Sequence, residues 1–149
     1  MQTVYLKLTN RCNLNCKHCY NKVAYSHGAD MDNMTLCKSI DYICNKAKSM
    51  QYDILNVVLH GGEPMLYDIG KIEQIVHALS CYSNIVISVT TNLVYELNDQ
   101  IMSVFRHCSN GLSCSIATSW DFQIRFSCSQ EEQLWEQNVK TLTMNGIDV

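Results

Sequence analysis

A strand-like run followed by an amphipathic helical run recurs four times along the chain, and this alternation constrains the fold more than any other feature. The strand-like runs are Val4–Leu8, Ile54–Leu59, Asn84–Val89 and Leu112–Ala117. Apolar residues at helical spacing follow each of them. Strands that alternate with helices are typical of right-handed βαβ crossovers. We therefore predict an α/β fold built from parallel βα repeats.

The ends of the predicted helices carry capping signals. These are Asp68 and Asn98 before the second and third helices, a Ser129–Glu132 capping box before the fourth, and Asn145-Gly146 after it. Ile147–Val149 then begins a fifth strand. A chain that stops inside a buried strand leaves a parallel edge unpaired. We therefore predict that residues 1–149 form one domain, a partial TIM-type barrel of about four βα units plus the start of a fifth strand. Such an incomplete barrel would be a fragment, a truncated form or one half of a larger assembly.

The composition excludes several classes of protein. Of 149 residues, 47% are apolar and 17% are charged, which suits one domain with a packed core. A net charge of −3 leaves no bulk basic surface for nucleic acid. The sequence shows neither a long apolar run, typical of a membrane span, nor a secretory leader. We therefore expect a cytoplasmic protein whose nine cysteines are thiols, with metal binding as the first hypothesis.

Three cysteines follow the first strand in one short loop, Cys12-x3-Cys16-x2-Cys19. Thiolates are soft ligands that select zinc, Cu(I) or iron–sulfur clusters. Three protein ligands leave one metal position open, which is typical of a site for chemistry. A zinc site and buried core thiols are the alternatives. A zinc module is disfavoured because no fourth Cys or His lies at ligand spacing on the same loop.

Polar or glycine-rich segments follow the other three strands. They are His60-Gly61-Gly62-Glu63-Pro64, Thr90-Thr91-Asn92 and Ser119-Trp120-Asp121. The glycine pair lets the backbone approach a ligand, and the single proline, Pro64, holds Glu63 extended. Because ligands of parallel α/β folds bind at the carboxyl ends of the strands, these segments and the cysteine loop predict one active site. Taken alone, each segment is also consistent with an ordinary turn or strand end.

The cysteine loop, with an aromatic ring at His18, resembles the cluster loop of the radical S-adenosylmethionine (SAM) enzymes. The resemblance implies that Cys12, Cys16 and Cys19 hold three irons of a [4Fe-4S] cluster, and that the amino and carboxylate groups of SAM chelate the fourth. An electron from the cluster would split the sulfonium of SAM. The resulting 5′-deoxyadenosyl radical would abstract a hydrogen atom from the substrate, with the protein holding and orienting the reactants.

The same resemblance assigns further residues to SAM. They are His18 and Tyr20 in the cysteine loop, Gly61, Gly62, Glu63 and Pro64 at the amino group, Asn92 after the third strand, Ser119 at the carboxylate or ribose, and Arg125 at the carboxylate. For His18, packing on the adenine and a solvated position both remain open. The chain departs from the family pattern at Leu93 and Phe122, where relatives often have glycine.

Thr-Asn-Arg-Cys, His-Gly-Gly-Glu-Pro and Ser-Trp-Asp together resemble the subgroup of radical SAM enzymes that acts on peptides and proteins. That subgroup includes the anaerobic sulfatase-maturing enzymes and the peptide maturases with a SPASM extension. The resemblance implies a peptide or protein substrate and a reductant such as a flavodoxin or ferredoxin. The alternative is a non-catalytic partial barrel that binds a metal cluster, or a partner chain through its unfinished edge.

Overall fold

Strands and helices alternate along the chain. The computed structural model describes residues 1–19, 28–50, 53–109, 116–121 and 124–149. The strands are β1 (Gln2–Thr9), β2 (Leu55–Gly61), β3 (Ile85–Thr90) and β4 (Ile116–Ala117). The helices are α1 (Asn33–Ser49), α2 (Ile69–Ser80), α3 (Asp99–Ser109) and α4 (Ser129–Met144), and a short 3₁₀ turn (Pro64–Leu66) follows β2.

The four strands pair in parallel in the order β1-β2-β3-β4. The pairing places Leu6 opposite Leu59 across β1 and β2, and Val58 opposite Ser88 across β2 and β3. A helix connects each strand to the next, as in βαβ units. The predicted α/β fold of parallel βα repeats is confirmed, and over the described residues the sheet is open rather than closed into a barrel. All four carboxyl ends therefore lie along one edge of the sheet.

One face of the sheet packs against the helices, and the core lies between them. Leu6 and Leu8 of β1 share a buried cluster with Ile43 of α1 and Ile75 of α2. Side chains alternate between the two faces of a strand, and Tyr5, which points to the other face, is 67% exposed. The helices thus cover one face of the sheet and leave the residues at the carboxyl edge accessible.

Three helix boundaries follow the predicted signals. Asp68 Oδ1 accepts the Lys71 N–H at 3.2 Å, and Asn98 Oδ1 accepts the Ile101 N–H at 2.9 Å. Gly146 follows α4 with a φ of 72°, in the left-handed region that favours glycine. These three predictions are confirmed. None of the helices in the described ranges is long and apolar enough to cross a membrane.

The predicted capping box at the start of α4 is wrong. The helix begins at Ser129 itself, and the preceding Cys128 makes no side-chain capping bond. The Glu132 carboxylate instead accepts the Trp120 indole N–H at 2.7 Å. This tertiary contact occupies the side chain that the capping box requires.

The predicted fifth strand is also not formed. The Ile116 N–H donates to the Asp148 carbonyl at 3.3 Å, and Ile147 is buried, but residues 147–149 do not continue into a ladder. The described part of β4 is two residues long and offers little backbone to pair with. The remainder of the predicted fourth strand, residues 112–115, lies outside the described residues. The described sheet therefore has four strands.

Candidate active site

The carboxyl ends of the strands open into one cleft of about 360 Å³. Nine of the residues that the sequence assigns to the cluster and to SAM line this cleft. They are Cys12, Cys16, His18, Cys19, Gly61, Gly62, Asn92, Ser119 and Arg125. The structure thus brings the four strand-end segments together, as the parallel topology predicts.

Two of the predicted site residues that the structure describes do not line the cleft. Glu63 is fully buried beneath the residues that line the cleft, and Pro64 is buried at the start of the 3₁₀ turn. Glu63 has the extended backbone predicted from the proline that follows it, with φ −127° and ψ 110°. Tyr20 lies outside the described residues.

The glycine pair after β2 packs against the backbone that enters the cysteine loop. The Gly62 N–H donates to the Thr9 carbonyl at 2.9 Å, and the Glu63 N–H donates to the Arg11 carbonyl at 2.7 Å. A Cβ atom at Gly61 would come 2.5 Å from the Thr9 carbonyl oxygen, and one at Gly62 would collide with the Arg11 backbone. Glycine is needed at both positions because two backbones meet there. The contact fixes the turn after β2 relative to the cysteine loop.

An ion pair anchors the entrance of the same loop. Arg11 Nε and Nη2 donate to the two carboxylate oxygens of Asp30 at 2.9 and 2.8 Å, and the Thr9 hydroxyl donates to Asp30 at 2.6 Å. Arg11 also donates to the Leu66 carbonyl. Burial opposes ionisation of Asp30, but the hydrogen bonds from Thr9 and Arg11 outweigh it and lower the pKa of this carboxyl. The loop entrance is thereby tied to the segment before α1 and to the turn after β2.

The thiols of the three cysteines face the cleft and are partly exposed. Cys12 Sγ lies 3.5 Å from the Leu14 N–H nitrogen and 3.7 Å from the side-chain amide nitrogen of Asn92. Burial raises the pKa of the Cys12 and Cys16 thiols, and the positive charge of Arg125 opposes this at Cys16. Nearby N–H donors and a cation favour the thiolate, which is the form that binds metal.

This donor set is compatible with an iron–sulfur cluster. In the part of the chain that the structure describes, no three His, Cys, Asp or Glu side chains are arranged to hold one metal ion. Cysteine ligands of a four-iron cluster bind separate irons, so they need not converge on one point. N–H donors beside the sulfur atoms are also the surroundings that tune such clusters.

A buried carboxylate joins the ends of β2 and β3. Glu63 accepts the Thr91 hydroxyl at 2.8 Å, the Met65 N–H at 3.1 Å and the Asn92 N–H at 2.6 Å. The exposed fraction is 0% for Glu63, 4% for Thr91 and 6% for Asn92. Burial raises the pKa of Glu63 to about 7, although the three donors favour its charged form. We call these four residues the Glu63 network, and it positions the end of β3 beside the cysteine loop.

Leu93 continues this buried region with an unusual backbone. It stands where the family resemblance expects glycine, and its φ of 55° is in the left-handed region that favours glycine. The Leu93 side chain is fully buried. From α4, Asn138 donates to the carbonyls of Leu93 and Tyr95 at 3.0 and 2.7 Å. Burial and these hydrogen bonds hold a conformation that leucine by itself disfavours.

The residues after β4 reach the cysteine loop through polar and charged side chains. Asp121 Oδ2 lies 3.5 Å from His18 Nε2 and 3.3 Å from Arg125 Nε. Arg125 also donates to the Ser119 hydroxyl. The His18 and Asp121 side chains are 48% and 37% exposed. We call these four residues the Asp121 cluster, and it is a solvated contact between the cysteine loop and a second strand end.

Three residues that shape the site were missed by sequence reasoning. They are Asn13, which accepts the Asn92 amide at 2.7 Å, together with Asp30 and Asn138. Asn138 had a usable signal, because it interrupts the apolar stripe of α4 formed by Trp135, Val139 and Leu142. A buried polar side chain on such a stripe is expected to be hydrogen-bonded. Asn13 and Asp30 lie in loops and follow no pattern that distinguishes them.

Solved structures with a similar fold include those of anSMEcpe, an anaerobic sulfatase-maturing enzyme. "Native anSMEcpe with bound AdoMet" superposes with a TM-score of 0.76 at 16% identity, covering 99% of this chain and 42% of that chain. "Native anSMEcpe with bound AdoMet and Cp18Cys peptide" has a TM-score of 0.73 at 16% identity, covering 99% of this chain and 41% of that chain. At this identity the similarity shows the fold.

Sequence comparison gives the family. The chain is 35% identical over 121 residues to the uncharacterized protein MJ0907 of Methanocaldococcus jannaschii, an alignment that covers 78% of this chain and 38% of that protein. The chain thus spans less than half the length of this relative. The family model described as the Radical SAM superfamily, whose members use a [4Fe-4S] cluster and SAM, matches residues 6–149. This match covers nearly the whole sequence, and the chain belongs to the radical SAM superfamily.

Proposed function

We propose that this chain is the part of a radical SAM enzyme that holds the [4Fe-4S] cluster and SAM, and that the enzyme modifies a peptide or protein side chain. The observation that carries the proposal is the meeting of the three cysteines and the Gly61-Gly62 turn at one cleft. Backbone hydrogen bonds join this turn to the segment that enters the cysteine loop. A cluster on the cysteines and a cofactor on the glycine turn would therefore be neighbours.

The cysteine loop and the glycine turn would divide the binding between them. Cys12, Cys16 and Cys19 would each ligate one iron through a thiolate. The backbone of Gly61 and Gly62 would bind the amino group of SAM, while Glu63 and Pro64 hold the turn in place from behind the wall. When bound, the cluster supplies the electron that cleaves the sulfonium of SAM and so generates the radical for hydrogen abstraction.

The Asp121 cluster would bind the rest of SAM. Arg125 is better placed than His18, because its side chain is 14% exposed and its charge reaches Cys16. A guanidinium suits the carboxylate of SAM. Ser119 would contribute at the carboxylate or ribose, and His18 and Tyr20 at the adenine side. Asn92 also lines the cleft.

A peptide or protein substrate is supported by the similarity to anSMEcpe, one structure of which holds the Cp18Cys peptide. Reduction of the cluster would need a donor such as a flavodoxin or ferredoxin. The described cysteines form no disulfide, and a reducing compartment such as the cytoplasm would keep them as thiols.

Anaerobic reconstitution with iron and sulfide tests the proposal. We expect four irons per chain with charge-transfer absorbance, and 5′-deoxyadenosine once dithionite and SAM are added. Cys16→Ser should lose the cluster, whereas Cys37→Ser, at an exposed cysteine on α1, should retain it. Uptake of zinc without iron would contradict the cluster assignment. A full cluster without 5′-deoxyadenosine would mean that residues 1–149 hold the cluster but do not suffice for cleavage of SAM.

A further inference from the structure

The side-chain amide of Asn92 is held against the sulfur atom of Cys12. The Asn92 Nδ2 lies 3.7 Å from Cys12 Sγ, a hydrogen-bonding distance for the larger sulfur atom, and 2.7 Å from Asn13 Oδ1. Asn92 is 6% exposed, so water has little access to this amide. A donor is thus directed at one of the three thiols that the proposed function assigns to iron.

The surrounding hydrogen bonds fix which end of the amide faces the sulfur. Asn92 Oδ1 accepts the Val94 N–H at 2.8 Å, so the amide oxygen faces this backbone donor rather than the sulfur atom. Asn13 donates its own amide to the Val94 carbonyl, which leaves Asn13 Oδ1 as an acceptor toward Asn92. If the Asn92 amide were flipped, its oxygen would face Asn13 Oδ1 and its NH₂ would face a backbone N–H. The network therefore specifies the donor toward Cys12.

The backbone of Asn92 is held as firmly as its side chain. Its N–H donates to the buried Glu63 carboxylate at 2.6 Å, and the neighbouring Thr91 hydroxyl donates to the same carboxylate. Asn138 secures the next turn by binding the Leu93 and Tyr95 carbonyls. The amide would thus reach a cluster thiolate without prior rearrangement.

We propose that Asn92 is a positioning residue for electron transfer, donating a hydrogen bond to the Cys12 thiolate and thereby raising the reduction potential of the cluster. Reduction adds negative charge that is shared by the sulfur ligands, and a donor to sulfur stabilises the reduced form more than the oxidised one. This inference rests on the proposed function. It gives the polar side-chain atoms of Asn92 a role toward the metal ligand rather than toward SAM.

Redox titration of the reconstituted chain, followed by electron paramagnetic resonance, tests the inference. Asn92→Asp keeps the size of the side chain and the acceptor for Val94, but it replaces the donor by a carboxylate oxygen. We expect a more negative midpoint potential and faster iron loss to a chelator. Asn92→Ser removes the donor without adding charge, so it should shift the potential in the same direction by less, and it serves if the Asp variant does not fold.

Asn138→Ser is the matched control. It removes hydrogen bonds from the same loop without touching a thiol, and we expect a wild-type midpoint potential despite lower stability. Asn92 variants with full iron content and an unchanged potential would overturn the inference while leaving the proposed function intact. An equal shift in Asn138→Ser would also overturn it, because the effect would then be structural. If the wild-type chain takes up no cluster, the proposed function fails, and the inference fails with it.

Discussion

The cysteine loop meets two strand ends that are built differently. At the end of β3, the Glu63 network is buried, and each carboxylate bond goes to a defined donor. At the end of β4, the Asp121 cluster consists of polar and charged side chains that are partly exposed, with N···O distances of 3.3 to 3.5 Å. Buried hydrogen bonds are costly to break, whereas exposed ion pairs contribute little. One side of the cleft is therefore preformed, and the other can adjust when a ligand binds.

The largest expected effect tests the preformed side at Leu93. Leu93→Ala should destabilise the fold by about 3–5 kcal/mol, because it leaves a cavity and keeps the left-handed backbone. Leu93→Gly loses the same side chain but relieves the backbone, so it should be the more stable of the two by about 1 kcal/mol. Urea denaturation of both variants measures this order. Greater stability of the alanine variant would show that Leu93 is not strained.

The next effect concerns the carboxylate itself. Glu63→Ala should destabilise the fold by about 2–4 kcal/mol, because it leaves the buried Asn92 and Met65 N–H groups without an acceptor. Glu136→Ala is the control, since Glu136 is a 52% exposed carboxylate on α4. It should change the free energy of unfolding by less than about 0.5 kcal/mol. Equal losses in the two variants would mean that the Glu63 network is no more stable than the surface.

A pH dependence should follow from the same carboxylate. Burial raises the pKa of Glu63 to about 7, from an ordinary value near 4.5. Between these values the folded state keeps a proton that the unfolded state has lost, so the stability contributed by Glu63 falls as pH rises from 4.5 to 7. The slope is at most about 1.4 kcal/mol per pH unit, and it flattens above pH 7.

Denaturation of the wild type and of Glu63→Gln between pH 4.5 and 8 measures that contribution as a difference, which cancels the other titrating groups. The difference in stability between the two proteins should change across this window. A difference independent of pH would mean that the pKa of Glu63 is not raised.

The smallest expected effect is at the adjustable side. Asp121→Asn should change the free energy of unfolding by less than about 1 kcal/mol, because Asp121 and its partner His18 are 37% and 48% exposed. High salt should reduce the difference further by screening the charges. Chemical denaturation at low and high ionic strength measures both. A loss comparable to that of Glu63→Ala would remove the distinction between the two strand ends.

The sequence predicts the order of strands and helices because hydrophobic periodicity is a local property. It also predicts that the cysteines and the glycine pair meet, because parallel topology brings strand ends to one edge. Local patterns did not predict the partners of buried polar groups. Glu63 carries a family signature for a ligand, yet its carboxylate accepts from residues that lie 28 and 29 positions later in the chain. The capping-box prediction failed for the same reason. The Glu132 carboxylate accepts the Trp120 indole N–H, a contact that the local sequence pattern does not indicate.

The glycine turn has a consequence for how the site is assembled. Its backbone is joined to Thr9 and Arg11, next to an irregularity in the β1–β2 pairing between Lys7 and Thr9. The spacing between the proposed metal ligands and the SAM turn is therefore set by main-chain pairing rather than by adaptable side chains. Once β1, β2 and β3 are paired, the spacing between the cysteine loop and the glycine turn would already be established, before any ligand binds.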